Sequence, residues 1–277
     1  MIFDMRLRPP YESFLNTFPY AQEGYYPSHI GHERPESALR RSMELLIVEM
    51  DSAGITTGLL VGRRNSVWGT VENDHIRELI EHYPGRFVGL WGVDVAQPEL
   101  ALDELGSRRD NRIKGISLEP ALAIGGPLQP DDPRFEPLYQ YCEENSLVVS
   151  FTLSGQVGPR IDCASPLPVQ PIARKHPNLR IVISHGGWPY VLETLALAFI
   201  CPNVWVSPDQ YLNVPNMPGA TEYMKAANYF LGDRLLFGSS YPSKPLRYSV
   251  DGFRAIGWPM DLEGKILYEN AARLFEL

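Results

Sequence analysis

The chain has 277 residues, 44% of them hydrophobic and 21% charged, with a formal charge of −8, so it has ample material for a core. It carries no basic tract, which excludes an electrostatic nucleic-acid surface, and no apolar run nears the roughly 20 residues of a membrane span. Cys142, Cys163 and Cys201 are odd in number and scattered without metal-type spacing, and no signal-peptide pattern opens the chain. A reducing, cytoplasmic location is expected.

Residues 1–7 are apolar and alternating until Pro9-Pro10, which predicts a first strand delivering Asp4, Arg6 and Arg8 near its carboxyl end. Residues 11–35 follow as a loop rich in Pro, Gly and aromatics, among them Phe14, Phe18, Tyr20, Tyr25 and Tyr26, of the length that functional lids have. His29 and His32 give it a His-x-x-His spacing, a weak metal signal outside a helix. Leu39, Met43, Leu46, Ile47 and Met50 then share one helical face, starting at Glu36 and capped at Gly54. Further strands are expected at 55–61, 86–93, 113–118, 147–151, 179–184, 204–207 and 235–238. Helices are expected at 73–83, 98–105, 135–145, 169–176, 190–199, 221–231 and 263–275, and residues 156–168 form a second long loop. About eight strand-then-helix units alternate with no linker. The fold class is therefore α/β, a single (β/α)8 TIM barrel over residues 1–277 with a long loop after the first strand.

The strongest local signal is Val182-Ile183-Ser184-His185-Gly186-Gly187-Trp188-Pro189, an apolar strand ending in a histidine. Barrels and open α/β sheets keep their chemistry at the carboxyl ends of strands. The two glycines are expected to turn the backbone and leave room for a ligand beside the imidazole. Glu119 and Asp209 also follow strands, so His185, Asp209 and Glu119 are the candidate proton-transfer groups. The bland reading of His185 is a core histidine satisfied by a carbonyl. His75, His82 and His176 fall on or at the ends of outer helices and are expected at the surface.

Residues 2–9, 73–74 with 86–89, 138–155, 183–187, 235–242 and 265–275, in that order, resemble the amidohydrolase superfamily. The nearest branch includes aminocarboxymuconate-semialdehyde decarboxylase and related hydrolases and lactonases. The most specific runs are Phe237-Gly238-Ser239-Ser240-Tyr241-Pro242 and Asn270-Ala271-Ala272-Arg273-Leu274-Phe275. The resemblance implies zinc ligands as His-x-His after the first strand, a histidine after the fifth and an aspartate after the eighth. Here those places hold Arg6 and Arg8, Thr152 and Ser240, and His185 alone keeps its family identity.

Zinc needs three or four converging deprotonated ligands, whereas arginine is always cationic. No cofactor is expected. The alternative is a single divalent metal such as zinc, drawing on His185, Glu119, Asp209, His29 and His32. Arg6 and Arg8 lie two apart and share a face, which the family geometry turns into the barrel mouth, where two guanidinium forks suit a carboxylate. Ion pairing with Glu119 and Asp209 is their structural alternative. Thr152, Ser154, Ser239, Ser240 and Tyr241 are candidate oxyanion donors, Trp68, Trp188 and Tyr211 candidate pocket walls, and Arg63 or Arg64 a further anion contact.

The expected function is a metal-independent hydrolase of a small carboxylated substrate such as a lactone or enol ester. The alternatives are a decarboxylase or other lyase, and a non-catalytic barrel that binds an anion. The expected partner is that small molecule, with no nucleic acid and no membrane, and a homo-oligomer is compatible with the sequence.

Overall fold

The computed structural model describes residues 1–21, 33–107 and 112–277. Seven strands, β1 (Ile2–Leu7), β2 (Ile55–Val61), β3 (Phe87–Gly92), β4 (Ile113–Leu118), β5 (Val148–Thr152), β6 (Arg180–Ser184) and β7 (Val204–Ser207), pair in parallel and in chain order. A longer helix follows each strand in turn: α1 (Met43–Ala53), α2 (Asn73–His82), α3 (Glu99–Ser107), α4 (Glu136–Glu144), α5 (Val169–Lys175), α6 (Val191–Ile200) and α7 (Ala220–Ala226). Parallel neighbours need such crossovers.

The eighth strand expected at 235–238 does not form as a regular strand. That segment instead touches both edges of the curled sheet through single bridges, Val206 to Leu235 and Leu7 to Tyr241. Its backbone bonds run from Met5 N to Phe237 O (2.9 Å), Leu236 N to Val206 O (2.9 Å) and Arg8 N to Tyr241 O (3.2 Å).

The helix expected from Glu36 is broken in two. Arg41 is left-handed (φ 52°), and Ser42 restarts the helix by accepting from Leu45 N at 3.2 Å. Leu39 is exposed as a result. Gly54 caps α1 at φ 76°, as its sequence position predicted. A helix that the sequence did not announce, α8 (Leu246–Arg254), follows Pro245, and the last helical stretch runs through Met260–Gly264 into α9 (Asn270–Phe275). His29 and His32 lie outside the described residues.

Alternation along the strands separates two apolar layers. Phe3, Met5, Leu59, Val88, Val148 and Val182 form an inner cluster with α9, while Leu60, Val149, Phe151 and Ile183 pack outward under the helices. Toward the carboxyl ends the inner series turns polar: Val148 is succeeded by Ser150 and Thr152, and Val182 by Ser184, with Ser150 Oγ and Ser184 Oγ 2.9 Å apart. The polar site begins where the apolar filling ends. The three cysteines are buried and free, and no helix among the described residues is long and apolar enough to cross a membrane.

Candidate active site

The arginines reach the barrel mouth because β1 slips register. Phe3 and Met5 belong to the inner cluster and Leu7 to the outer one, so an unbroken pleat would point Arg6 and Arg8 outward. The pairing of β1 with β2 shifts between Asp4 and Leu7, which turns the even-numbered side chains inward. Arg6 donates to Glu119 Oε1 (3.4 Å) and to Thr152 Oγ1 (3.3 Å), and Arg8 to Glu119 Oε1 (3.4 Å). Thr152 Oγ1 in turn donates to Glu119 Oε1 at 3.0 Å. Arg63, from the loop after β2, closes the set with Nη2 at 3.0 Å from Oε1 and Nε on Oε2.

All five side chains are buried. Burial pushes the Glu119 carboxyl up, but Arg63, Arg8 and Arg6 outweigh it and hold the group far below the usual carboxylate range. Glu119 is thus a fixed anion and a poor proton acceptor. Three guanidiniums converge on the one carboxylate of Glu119.

His185 sits across the same cleft, its side chain 12% exposed, with Nδ1 3.1 Å from Asp209 Oδ2, in ion-pair range though not aligned as a hydrogen bond. Asp209 also accepts from His185 N (3.2 Å) and from Ser207 Oγ. Burial and then Arg6 push the His185 pKa down against the pull of Asp209, so the imidazole is neutral at pH 7. Burial raises the Asp209 carboxyl, but His185, Arg6 and Ser207 bring it below its ordinary value. His185, Asp209 and Ser240 all have positive φ (63°, 53° and 59°), a conformation that non-glycine residues keep where surrounding structure enforces it.

Gly186 and Gly187 do turn the backbone (φ 61° and 70°), but they leave no space for a ligand. A Cβ at Gly186 would meet the Tyr223 hydroxyl at 2.4 Å, and one at Gly187 would meet Thr194 Oγ1 at 2.1 Å. The space beside the two glycines is filled by packing, and His185 meets the cleft from elsewhere on its ring. Gly238 has a comparable reason: its Cβ would meet Asp209 Oδ1 at 2.2 Å.

Of the five neutral donors, four are engaged elsewhere. Thr152 is bound to Glu119, Ser154 lies 2.7 Å from the Tyr211 hydroxyl, Ser239 Oγ donates to Asp4 Oδ2, and the Tyr241 hydroxyl lies 2.6 Å from Ser37 Oγ. Ser240 Oγ is buried with no partner among the described residues and lines the cleft. Trp188 and Tyr211 stack at 4.9 Å and 9°, and Tyr211 meets the His185 ring edge-on at 6.1 Å. Trp68 stacks on Phe18 at 4.6 Å and lies 5.5 Å from the Arg63 guanidinium carbon. Arg64 points away, onto Glu104 and Glu72.

Among the outer histidines, His82 is exposed and His75 half-buried against Ser13. His176 is buried, contrary to its expected surface position, because Glu143 (2.9 Å) and Glu136 (3.1 Å) on α4 reach both ring nitrogens.

Two further groups lie near the cleft: Asp4, which the sequence placed on the first strand without a role, and Lys244, which it did not single out. Asp4, fully buried, accepts from Arg6 N (3.0 Å) and Ser239 N (2.8 Å), and burial pushes its carboxyl up to about 7. Lys244 is buried with no hydrogen-bond partner for Nζ among the described residues, and burial pushes its pKa down to about 7 against the pull of Asp209 and Asp4. Its place just past Tyr241-Pro242, where the chain leaves the barrel mouth, was the available clue.

The amidohydrolase family model matches residues 38–277. The chain belongs to the amidohydrolase family. The resemblance drawn from the sequence is borne out. Among solved structures, an uncharacterised TIM-barrel protein from Bordetella bronchiseptica is 36% identical, covering 99% of this chain and 98% of its own, with a TM-score of 0.92. A 2,6-dihydroxybenzoate decarboxylase from Rhizobium shares the fold at 18% identity, with 99% and 98% coverage and a TM-score of 0.75. So does an amidohydrolase from Burkholderia multivorans with bound zinc, at 15% identity, 100% and 99% coverage and a TM-score of 0.67. No curated protein matches the chain.

Proposed function

We propose that this amidohydrolase-family enzyme hydrolyses a small carboxylated substrate, such as a lactone or enol ester, without a metal. The observation that carries the reading is the convergence of Arg6, Arg8 and Arg63 on Glu119 in the same cleft as His185, whose Nδ1 lies 3.1 Å from Asp209. Arg6 and Arg8 anchor the substrate carboxylate through charge-assisted hydrogen bonds, while Arg63 and Glu119 hold them in place. His185 removes a proton from water as its oxygen bonds to the acyl carbon, and Asp209 orients the ring and stabilises the imidazolium. Ser240 Oγ donates to the developing oxyanion. When the acyl carbon–oxygen bond breaks, the imidazolium returns its proton to the leaving oxygen, giving a carboxylic acid and an alcohol or enol.

The side chains around His185 do not fit a zinc-type centre. The set offers one imidazole and one carboxylate, with Arg6 near enough to depress the imidazole, and a divalent cation would meet that fixed charge. Among the described residues, no group of three or more His, Cys, Asp or Glu side chains is placed to hold a metal. No step is routed through one.

The likeness to the Rhizobium decarboxylase keeps a carboxy-lyase as the second reading. It ranks lower because arginines that grip a carboxylate stabilise the charge that decarboxylation must disperse. The test is a panel of carboxylated lactones, enol esters and unsaturated acids. Ring opening or ester cleavage without carbon dioxide is expected. Carbon dioxide release identifies the lyase, and binding without turnover identifies a non-catalytic anion receptor.

A further inference from the structure

The polar cleft around Arg6, Arg8, His185 and Ser240 is small, with a cavity volume of about 30 Å³. It can seat a carboxylate but not the remainder of a substrate. A second cavity, of about 460 Å³, opens at the same end of the sheet and falls in the size range of small-molecule sites.

The two cavities share a wall. Phe18 and Trp68, stacked on each other, line both. Beyond them the larger chamber is built from the loops after β2, β4 and β5, with Val67, Leu122, Ala123 and Pro127 among its surfaces. Val67 N donates to Leu122 O at 2.9 Å, and Ser66 bridges Ala123, so the loops after β2 and β4 are tied into one wall. Among the described residues no charged side chain lines the chamber, whereas arginines line the cleft. Charge on one face of the Phe18–Trp68 stack and apolar surface on the other describe a ligand with the same two halves.

We propose that the substrate is an amphipathic carboxylate, its carboxyl group on Arg6 and Arg8 and its apolar body, an acyl chain or aryl group, in the chamber beyond Trp68. This deepens the proposed function and rests on its arginine anchor. Trp68 is half-buried on a loop, and its ring is the boundary that the ligand's two halves would straddle. Arg63, beneath its ring, holds it at the boundary.

Non-reacting probes test both halves. Binding of acetate, hexanoate and decanoate, with hexan-1-ol and decan-1-ol as uncharged controls, is measured by titration calorimetry. Affinity is expected to rise about three- to fourfold per added methylene, the effect of burying one CH₂. Hexanoate and decanoate are each expected to bind at least tenfold tighter than the matching alcohol. Val67→Asp, at an exposed chamber position, should collapse the decanoate-to-acetate affinity ratio, as should Ala123→Phe, which fills the space. Arg8→Met should weaken the acids in parallel without changing the slope.

A flat acid series with measurable acetate binding overturns the chamber and leaves the anchor standing. Alcohols binding as well as acids overturn the anchor and leave the chamber standing. A slope that survives both chamber variants places the apolar body elsewhere, and no binding by any probe overturns both halves.

Discussion

Arg63 and Glu119 form a buried two-point ion pair, Nη2 3.0 Å from Oε1 with Nε on the other oxygen, and the remaining charges of the cleft are arranged around it. Removing one partner of such a pair strands the other. Glu119→Gln should therefore lower unfolding stability by about 3–5 kcal/mol in denaturant titrations. The depressed Glu119 pKa means the folded state binds fewer protons than the unfolded one below the ordinary value of 4.5. Its contribution is present above pH 4.5 and lost as pH falls further, and Glu119→Gln should flatten that acid limb.

His185→Asn should retain the fold and lower the rate by about 10²–10⁴, the usual contribution of a positioned acid–base group. Because burial and Arg6 lower the His185 pKa, the acid limb of kcat/KM should fall below pH 6.5 and be absent from the variant. Normal turnover with a lower melting temperature would make His185 a packing residue.

Arg6→Met or Arg8→Met should weaken carboxylate binding by about 1.5–3 kcal/mol, the range for hydrogen bonds to charged groups. Lysine should restore part of the loss, since a point charge lacks the guanidinium fork. Calorimetry with a carboxylate ligand reads both effects.

Lys244 and Asp4 should leave opposite marks on stability. The lowered Lys244 pKa means the unfolded chain binds an extra proton between about pH 7 and 10.5, so stability rises with pH there by at most about 1.4 kcal/mol per unit. The raised Asp4 pKa means the folded chain holds the extra proton between 3.8 and about 7, so stability falls with rising pH across that window. Lys244→Met and Asp4→Asn should each erase one slope in thermal melts recorded across pH.

Purified protein should hold zinc well below one equivalent, and chelators should leave turnover unchanged. Elemental analysis near one equivalent with activity lost to chelators would overturn the metal-free reading.

The strands were readable because each is a short apolar run bounded by turn residues; 55–61, 113–118 and 204–207 match β2, β4 and β7 residue for residue. The segment at 235–238 has the same pattern but bonds irregularly, and local sequence does not encode that. Arg6 and Arg8 were rightly read as sharing a face, yet what aims them at Glu119 is a register slip in β1. His176 was misplaced because its carboxylate partners stand on α4, more than 30 positions away. The chain from Arg63 through Glu119 to Thr152 is likewise a product of closure, invisible to any window of sequence.

That closure also has an uneven grip. Neighbours β5 and β6 pair at five successive positions, whereas the junction of β1 with the Leu235–Tyr241 region relies on one bridge, the isolated bonds of the Met5 and Arg8 amides, and Asp4 gripping Ser239, 235 residues along the chain. Local opening should begin there, so the amides of Met5 and Arg8 should exchange with deuterium sooner than those of Val182 and Ile183. Arg6 and Arg8 stand on one lip of this seam and Ser240 on the other. A ligand that bridges them would act as a clasp, and the protection it confers would be greatest at the seam, however far its own contacts lie from those amides.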